Sequence, residues 1–267
     1  MGKYTVKETK PPHGYILNNA EKSVTFTYAG QDVQIVYDTT EYQNIRQKAQ
    51  VSFLKQDADT KNPLDGAVYG LYADSDIKDY KGNKIVDKGT LIERVTTPAN
   101  GKSTFKADIP IDFKYVVKEI TAPFGYYNNE SPYSFGFNYT NMNEAVVKFN
   151  NTFENDRVLG YVDLTKYDVE SESDITQGNV EHLDGAVYGI YAAEDIIHSD
   201  GATGVIHKKD DLITTATVGE TKKIRFGDLE LGKYYIKELT PPDGYMLDET
   251  VYEVTISYHG QDIKVVE

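Results

Sequence analysis

A lysine, a glutamate and an asparagine in this sequence each end an apolar row of an alternating pattern. Side chains at positions i and i+2 of a strand share a face, so Lys55 lies on the same face as Val51 and Phe53. By the same alternation, Glu119 and Asn151 each end an apolar row of their own. Burying such groups separately is costly, because each would lose its hydration without gaining a partner. We therefore predict that the three side chains meet inside one folded unit.

The chemistry that this set permits is the formation of an amide between two side chains. Burial disfavours charge, so it lowers a lysine pKa and raises a glutamate pKa by up to roughly 3 to 5 units. The neutral amine of Lys55 is then a nucleophile, while protonated Glu119 polarises the carboxamide of Asn151 and carries protons. Ammonia leaves, and the reaction occurs once per molecule. The prediction is therefore a self-made cross-link and not an enzyme with turnover.

Simpler interpretations of these residues exist. Lys55 and Lys166 can be lysines at strand ends whose ammonium groups reach water. Glu119 can form an ordinary buried salt bridge. Asn150 is the alternative acceptor, but its position in the alternation places it on the opposite face from Asn151.

Internal repeats show which elements position these side chains. The block LDGAVYGLYA at 64–73 returns 119 positions later as LDGAVYGIYA at 183–192. A second block contains the glutamate and occurs three times, at 4–15, 115–126 and 234–245. Recurrence at such a period is typical of tandem modules. We interpret the chain as the C-terminal half of a module at 1–48, a complete module at 49–156, and a module lacking its final strand at 157–267.

The repeats also predict counterparts of the reactive residues. Lys166 and Glu238 occupy the positions of the lysine and the glutamate in the last module, and their acceptor is expected beyond the end of the sequence. The first half-module contains Glu8 but no lysine strand. Asp38 is its candidate acceptor, because the residues around it resemble those around Asn151.

The local patterns predict an all-β fold. Short segments alternate with period two and are rich in β-branched and aromatic residues, and turns such as Pro-Pro-Asp-Gly, Asp-Gly and Ala-Pro-Phe-Gly separate them. The sequence contains no convincing amphipathic helix. Strands at this spacing indicate tandem immunoglobulin-like antiparallel β-sandwich modules.

The motifs together resemble a known family. The segments L-D-G-A-x-Y-x-L-Y and Y-x-x-x-E-x-x-x-P-x-G-Y, followed by a closing N-T-F, are similar to the CnaB-type (collagen-adhesin B-type, or SpaA-like pilin) domain of Gram-positive surface proteins. The resemblance covers essentially the whole chain. It implies a prealbumin-like sandwich with an autocatalytic isopeptide bond, in which Lys55, Glu119 and Asn151 form the reactive set. It also implies an extracellular, cell-wall-anchored protein whose signal peptide and anchor lie outside this sequence.

Composition excludes several other classes of function. The net charge of -14 opposes binding to nucleic acid or to anionic lipid, and no apolar run is long enough to insert into a membrane. The absence of cysteine excludes disulfides and thiolate sites. No cofactor motif is present, and the histidines lack the short spacing of metal ligands, so we predict neither a cofactor nor a metal site. The histidines are His13, His182, His198, His207 and His259.

The predicted function is a structural stalk or spacer of a cell-surface adhesin or pilus. Its expected partners are the neighbouring repeats of the same protein. The alternative is an adhesin module whose loops, such as 138–144 or 195–209, bind a host protein or glycan. Since the first segment and the last module are each incomplete, we also consider that the N-terminal segment of one molecule completes the last module of another.

Overall fold

The described residues form β-structure only. A computed structural model describes residues 1–128, 130–167 and 183–266, so His182 lies outside the described residues. Strands, turns and bends account for the regular structure of these ranges, and no α-helix occurs in them. Consequently the described part of the chain has no helix that is long and apolar enough to cross a membrane.

The N-terminal segment contributes one antiparallel hairpin. Its strands are β1 (Gly2–Val6) and β2 (Lys22–Phe26), and the register pairs Gly2 with Phe26 and Val6 with Lys22. The hairpin corresponds to the second half of the larger modules that follow it.

The middle module is a sandwich of two sheets. Its strands are β3 (Lys48–Asp57), β4 (Val68–Ala73), β5 (Ile77–Lys78), β6 (Lys84–Val86), β7 (Leu91–Thr96), β8 (Lys102–Thr104), β9 (Phe113–Thr121), β10 (Tyr133–Phe137) and β11 (Val146–Asn155). One sheet has the order β10-β9-β4-β7 and the other β11-β3-β8, while β5 and β6 form a small hairpin. Aromatic side chains from both sheets fill the core: Phe53 lies 4.6 Å from Tyr69 and 5.4 Å from Phe153 between ring centroids. Such contacts add about 0.5 to 1.5 kcal/mol each beyond burial.

The third module repeats this architecture. Its strands are β12 (Leu159–Thr165), β13 (Val187–Ala192), β14 (Ile196–Ile197), β15 (Val205–His207), β16 (Leu212–Thr217), β17 (Lys223–Leu229), β18 (Gly232–Thr240), β19 (Tyr252–Ile256) and β20 (Val265–Val266). Its sheets have the orders β16-β13-β18-β19 and β17-β12-β20. The prediction of tandem all-β sandwich modules is thereby confirmed.

One strand pair in each full module differs from the predicted antiparallel pattern. Strands β3 and β11 run parallel over ten residue pairs, from Lys48 opposite Val146 to Asp57 opposite Asn155. Strands β12 and β20 are also parallel, over two pairs. A parallel pair needs a long connection, and here the rest of the module supplies it. The chain therefore enters the middle module at one end of this ladder and leaves it at the other.

Candidate cross-link site

Strands β3 and β9 carry the lysine and the glutamate into the core of the middle module. The Lys55 side chain is 0% exposed and that of Glu119 is 4% exposed. Alternation explains both placements, because Val51 and Phe53 are buried on the same face as Lys55. The neighbouring Lys118 points outward and is exposed.

The buried amine, carboxyl and carboxamide meet around Glu119. Lys55 Nζ lies 3.7 Å from Glu119 Oε1, and Asn155 donates a hydrogen bond of 2.9 Å from its Nδ2 to Glu119 Oε2. Asn155 is fully buried. Three of the buried polar atoms at this site have no hydrogen-bond partner among the described residues, and these are Lys55 Nζ, Glu119 Oε1 and Asn155 Oδ1. Because an unsatisfied buried polar atom costs about 1 to 3 kcal/mol, this arrangement favours a reaction that joins the amine to the amide carbon.

The amide at the site is Asn155, and not Asn151 as predicted. Both lie on the same face of β11, but Asn151 pairs with Phe53 and is only half-buried. The two asparagines are about 13 Å apart along the strand at roughly 3.3 Å per residue, so they cannot both reach Glu119. Alternation specifies the face of a strand but not the position along it, so it does not distinguish Asn151 from Asn155. The geometry makes Asn155 the candidate acceptor.

The N-terminal segment shows the same correction. Asn44 donates from Nδ2 to both carboxylate oxygens of Glu8, at 3.0 and 2.8 Å. Asp38, the predicted partner, is exposed and accepts a hydrogen bond from the adjacent backbone amide of Thr39. Asn44 precedes Asn155 by 111 positions, the same distance that separates Glu8 from Glu119. This spacing, and the arginine that follows two residues after each asparagine, is the sequence signal that the prediction missed.

Electrostatics at the site favour neutral groups. Burial lowers the pKa of Lys55 to about 8, although the neighbouring Glu119 opposes the shift. Burial raises the pKa of Glu119, while Lys55, Asn155 and Tyr69 oppose that rise. Burial and the same carboxyl group raise the pKa of the Tyr69 hydroxyl. The pair is thus driven towards a free amine and a protonated acid, the two forms that amide formation requires.

The lysine and the glutamate of the third module are also adjacent. Lys166 Nζ lies 3.0 Å from Glu238 Oε1, and Glu238 Oε2 accepts a hydrogen bond from the backbone amide of Asp248. Burial lowers the pKa of Lys166, but hydrogen bonds to Glu238 and Tyr188 outweigh it, so the net shift is upward. The two side chains thus form a salt bridge, and an acceptor for Lys166 stays a prediction.

The structure contains a cluster of potential metal ligands that the sequence did not predict, because its members come from two modules. One ligand atom each of Asp57, His198 and Asp200 lies within 4.8 Å of the others. Their oxygens already accept hydrogen bonds: Tyr126 donates to Asp57 at 2.6 Å, and Asn62 donates to Asp200 at 2.9 Å. We interpret the cluster as part of a hydrogen-bonded contact between modules.

The fold defines a prealbumin-like β-sandwich module. The model of the SpaA prealbumin-like fold domain matches residues 49–152 and 162–267. The chain therefore belongs to this family, which confirms the resemblance to SpaA-like pilin domains. No match was found among curated proteins.

The chain is similar to several solved structures. The Bacillus anthracis TIE protein is 24% identical, with a TM-score of 0.61 over 100% of this chain and 41% of that protein. The chain thus spans well under half of its length. A streptococcal ancillary pilin is 19% identical over 99% of this chain and 74% of its own, with a TM-score of 0.32. The shaft pilin SpaA of Lactobacillus rhamnosus GG is 16% identical over 82% and 95%, with a TM-score of 0.31.

Proposed function

We propose that this chain is part of the stalk of a bacterial surface protein, an adhesin or a pilus, outside the cell. Its middle module is cross-linked by an isopeptide bond between Lys55 and Asn155. One observation carries the proposal: a buried lysine amine and a buried asparagine amide lie at the two oxygens of one buried carboxyl group. Membership of the SpaA domain family supports the structural role.

The reaction follows from the geometry. The neutral amine of Lys55 attacks Cγ of Asn155, and protonated Glu119 donates a hydrogen bond to the developing oxyanion at Oδ1 once the carboxamide has turned this oxygen towards Glu119 in place of Nδ2. Glu119 then takes a proton from the former amine and passes one to Nδ2, so the Cγ–Nδ2 bond breaks and ammonia leaves. One N–C bond forms and one breaks, and no oxidant or cofactor is needed. Because Glu119 ends in its starting state, it acts as a proton carrier in a single turnover.

The bond would stabilise the module mainly by restricting the unfolded chain. It joins residues 100 positions apart. By analogy with a disulfide that closes a loop of this length, the stabilisation is on the order of 4 to 5 kcal/mol. A spacer under tension benefits because the closed segment cannot extend.

Intact-mass spectrometry of the purified protein tests the proposal. We expect a mass lower than the sequence mass by one ammonia, and a tryptic peptide in which the segments of Lys55 and Asn155 are joined. Lys55→Ala and Glu119→Ala should each abolish the loss. Lys166→Ala is the matched control and should keep it, because Lys166 only forms a salt bridge in this structure. An unshifted wild-type mass refutes the cross-link.

The alternative, a ligand-binding adhesin module, is less well supported by the loops proposed for it. In the loop 138–144, Thr140 and the carbonyl oxygens of Asn141 and Glu144 accept hydrogen bonds from Gln47. In the loop 195–209, Asp200 accepts hydrogen bonds from Thr60 and Asn62 of the middle module. Both loops are therefore engaged at contacts between modules. The binding of a host ligand stays a prediction. The completion of the last module of one molecule by the N-terminal segment of another also stays a prediction.

A further inference from the structure

The contact between the N-terminal segment and the middle module and the contact between the middle and third modules are formed by equivalent hydrogen bonds. We call each contact a module joint and define it by a turn of the leading module and a loop of the following one. In the first joint, the turn around Gly14 and Tyr15 contacts residues of the middle module. The bonds to the middle module are Tyr139 Oη to Tyr15 O at 3.2 Å and Leu17 N to Met142 O at 2.9 Å, and Gln47, which directly precedes β3, donates from its backbone N to Gly14 O at 2.8 Å.

The second joint reproduces the first between the middle and third modules. Its bonds are Val158 N to Gly125 O at 2.8 Å, Tyr258 Oη to Tyr126 O at 3.0 Å, and Asn128 N to Gln261 O at 2.9 Å. The residues of the turn, and Gln47 with its counterpart Val158, are 111 positions apart in the two joints, whereas the loop residues that accompany them, Tyr139 with Tyr258 and Met142 with Gln261, are 119 positions apart. Such agreement indicates an encoded interface, because chance packing of neighbouring domains would not repeat individual bonds.

Side chains repeat along with the backbone contacts. An aromatic ring of the leading turn meets the loop tyrosine edge-on in both joints, His13 with Tyr139 at 5.0 Å and Phe124 with Tyr258 at 4.8 Å. An arginine forms an ion pair across each joint. Arg46 pairs with Asp108 of the middle module, and Arg157 pairs with Asp59 of the middle module as well as with Glu230 of its own module.

Glycine in the turn permits close packing as well as the turn itself. Gly14, Gly125 and Gly244 have φ values of 85°, 83° and 86°, which L side chains rarely adopt. A Cβ atom at Gly14 would lie 2.6 Å from Ile111 of the next module, and one at Gly125 would lie 2.8 Å from Ser199. At Gly244 it would meet nothing within 4 Å.

We infer that the module joint is a recognition surface that holds neighbouring modules of this family in one fixed orientation. The inference rests on the proposed stalk function and specifies its partner: the turn Gly-Tyr accepts a module that presents a loop tyrosine in the place of Tyr139 or Tyr258. The third module carries the same turn, followed by Met246, which is 92% exposed. In the middle module the counterpart of Met246 is Tyr127, which packs against the core of the third module. The surface at Met246 therefore fits another module of the same kind.

Pulsed electron paramagnetic resonance on the whole chain tests the inference. Because the sequence has no cysteine, Tyr80→Cys and Met246→Cys place spin labels at sites that are each 92% exposed, one in each full module. We expect a single narrow distance distribution. Combining Tyr258→Ala with Arg157→Ala should broaden it, because these changes remove the bond of Tyr258 to Tyr126 and the ion pair of Arg157 with Asp59 across the second joint. A broad distribution without these changes, or a narrow one with them, overturns the inference.

Matched variants separate a loss of the joint from a loss of the fold. Tyr139→Ala removes the equivalent contact at the first joint, so the distance across the second joint should stay narrow. If Tyr258→Ala does not fold, Tyr258→Phe removes only the hydroxyl and should still widen the distribution; an unchanged width would count against the joint. The intact mass of the same samples distinguishes the two proposals. A narrow distribution without loss of ammonia refutes the cross-link and keeps the joint, and the reverse result refutes the joint alone.

Discussion

Replacing Asn155 by alanine removes the acceptor that the structure assigns, and Asn151→Ala removes the one that alternation alone predicted. Both residues lie on the same face of β11, so the two variants are matched in strand and in chemistry. If Asn155 supplies the amide carbon, Asn155→Ala has the full sequence mass for the variant. Asn151→Ala still loses one ammonia.

The stability difference can be worked from the loop that the bond closes. Losing the cross-link over 100 positions removes about 4 to 5 kcal/mol, and an unpaired Glu119 oxygen adds about 1 to 3 kcal/mol. With a urea m-value of roughly 2 kcal/mol/M, the unfolding midpoint of the middle module should fall by about 2 to 4 M. Asn151→Ala removes a half-buried side chain and should shift the midpoint by less than about 0.5 M.

Urea titration followed by intact-mass analysis of the same samples provides the assay. Loss of ammonia in Asn155→Ala refutes the assignment of the acceptor. A full-mass Asn155→Ala with an unchanged midpoint refutes the loop-closure argument and leaves the chemistry in place.

Three further outcomes are expected. The unfolded chain can be refolded at different pH values and the rate of ammonia loss measured. Because Lys55 must be neutral and Glu119 protonated, this rate should depend on pH as a bell-shaped curve with one limb near pH 8. A rate that does not change with pH would exclude this chemistry. Tyr69→Phe should move the limb of Glu119 to higher pH, since the hydroxyl favours the ionised carboxyl group; a shift to lower pH would show that its role is different. Gly125→Ala should lower the unfolding temperature more than Gly244→Ala. Both substitutions introduce a backbone strain of about 1 kcal/mol, but only a Cβ atom at position 125 contacts the next module. Equal decreases in unfolding temperature would contradict that contact.

Periodicity predicted the fold well because the modules are built from strands with one buried face. The LDGAVYG segment leads into β4 in the middle module and into β13 in the third. The glutamate block contains most of β9 in the middle module and most of β18 in the third. Alternation placed Lys55 and Glu119 on inward faces, and both side chains are buried in the structure. The alternation of side chains along a strand correctly predicts which side chains are buried, because it depends only on local backbone geometry.

The position of the acceptor and the joints depend on long-range register, which local pattern does not contain. Asn151 and Asn155 share a face, and only the pairing of β11 with β3 and the placement of β9 bring the second one to Glu119. The sequence pattern could not predict the proximity of Asp57 to the third module either, because His198 and Asp200 follow it by about 140 positions. A comparison of the spacing of Glu8 and Asn44 with that of the middle module would have identified the acceptor from sequence.

The parallel ladder of β3 and β11 determines how the middle module responds to pulling. Tension applied at Lys48 and at Arg157 acts along the two strands in opposite directions, so it shears the ladder and strains its hydrogen bonds together instead of peeling them one at a time. With Lys55 joined to Asn155, the stretched path shortens to the first strand segment, the new amide and the last few residues. Extension of the module then ends after a few ångströms, and the chain between the two residues stays slack at any force below that which breaks a covalent bond.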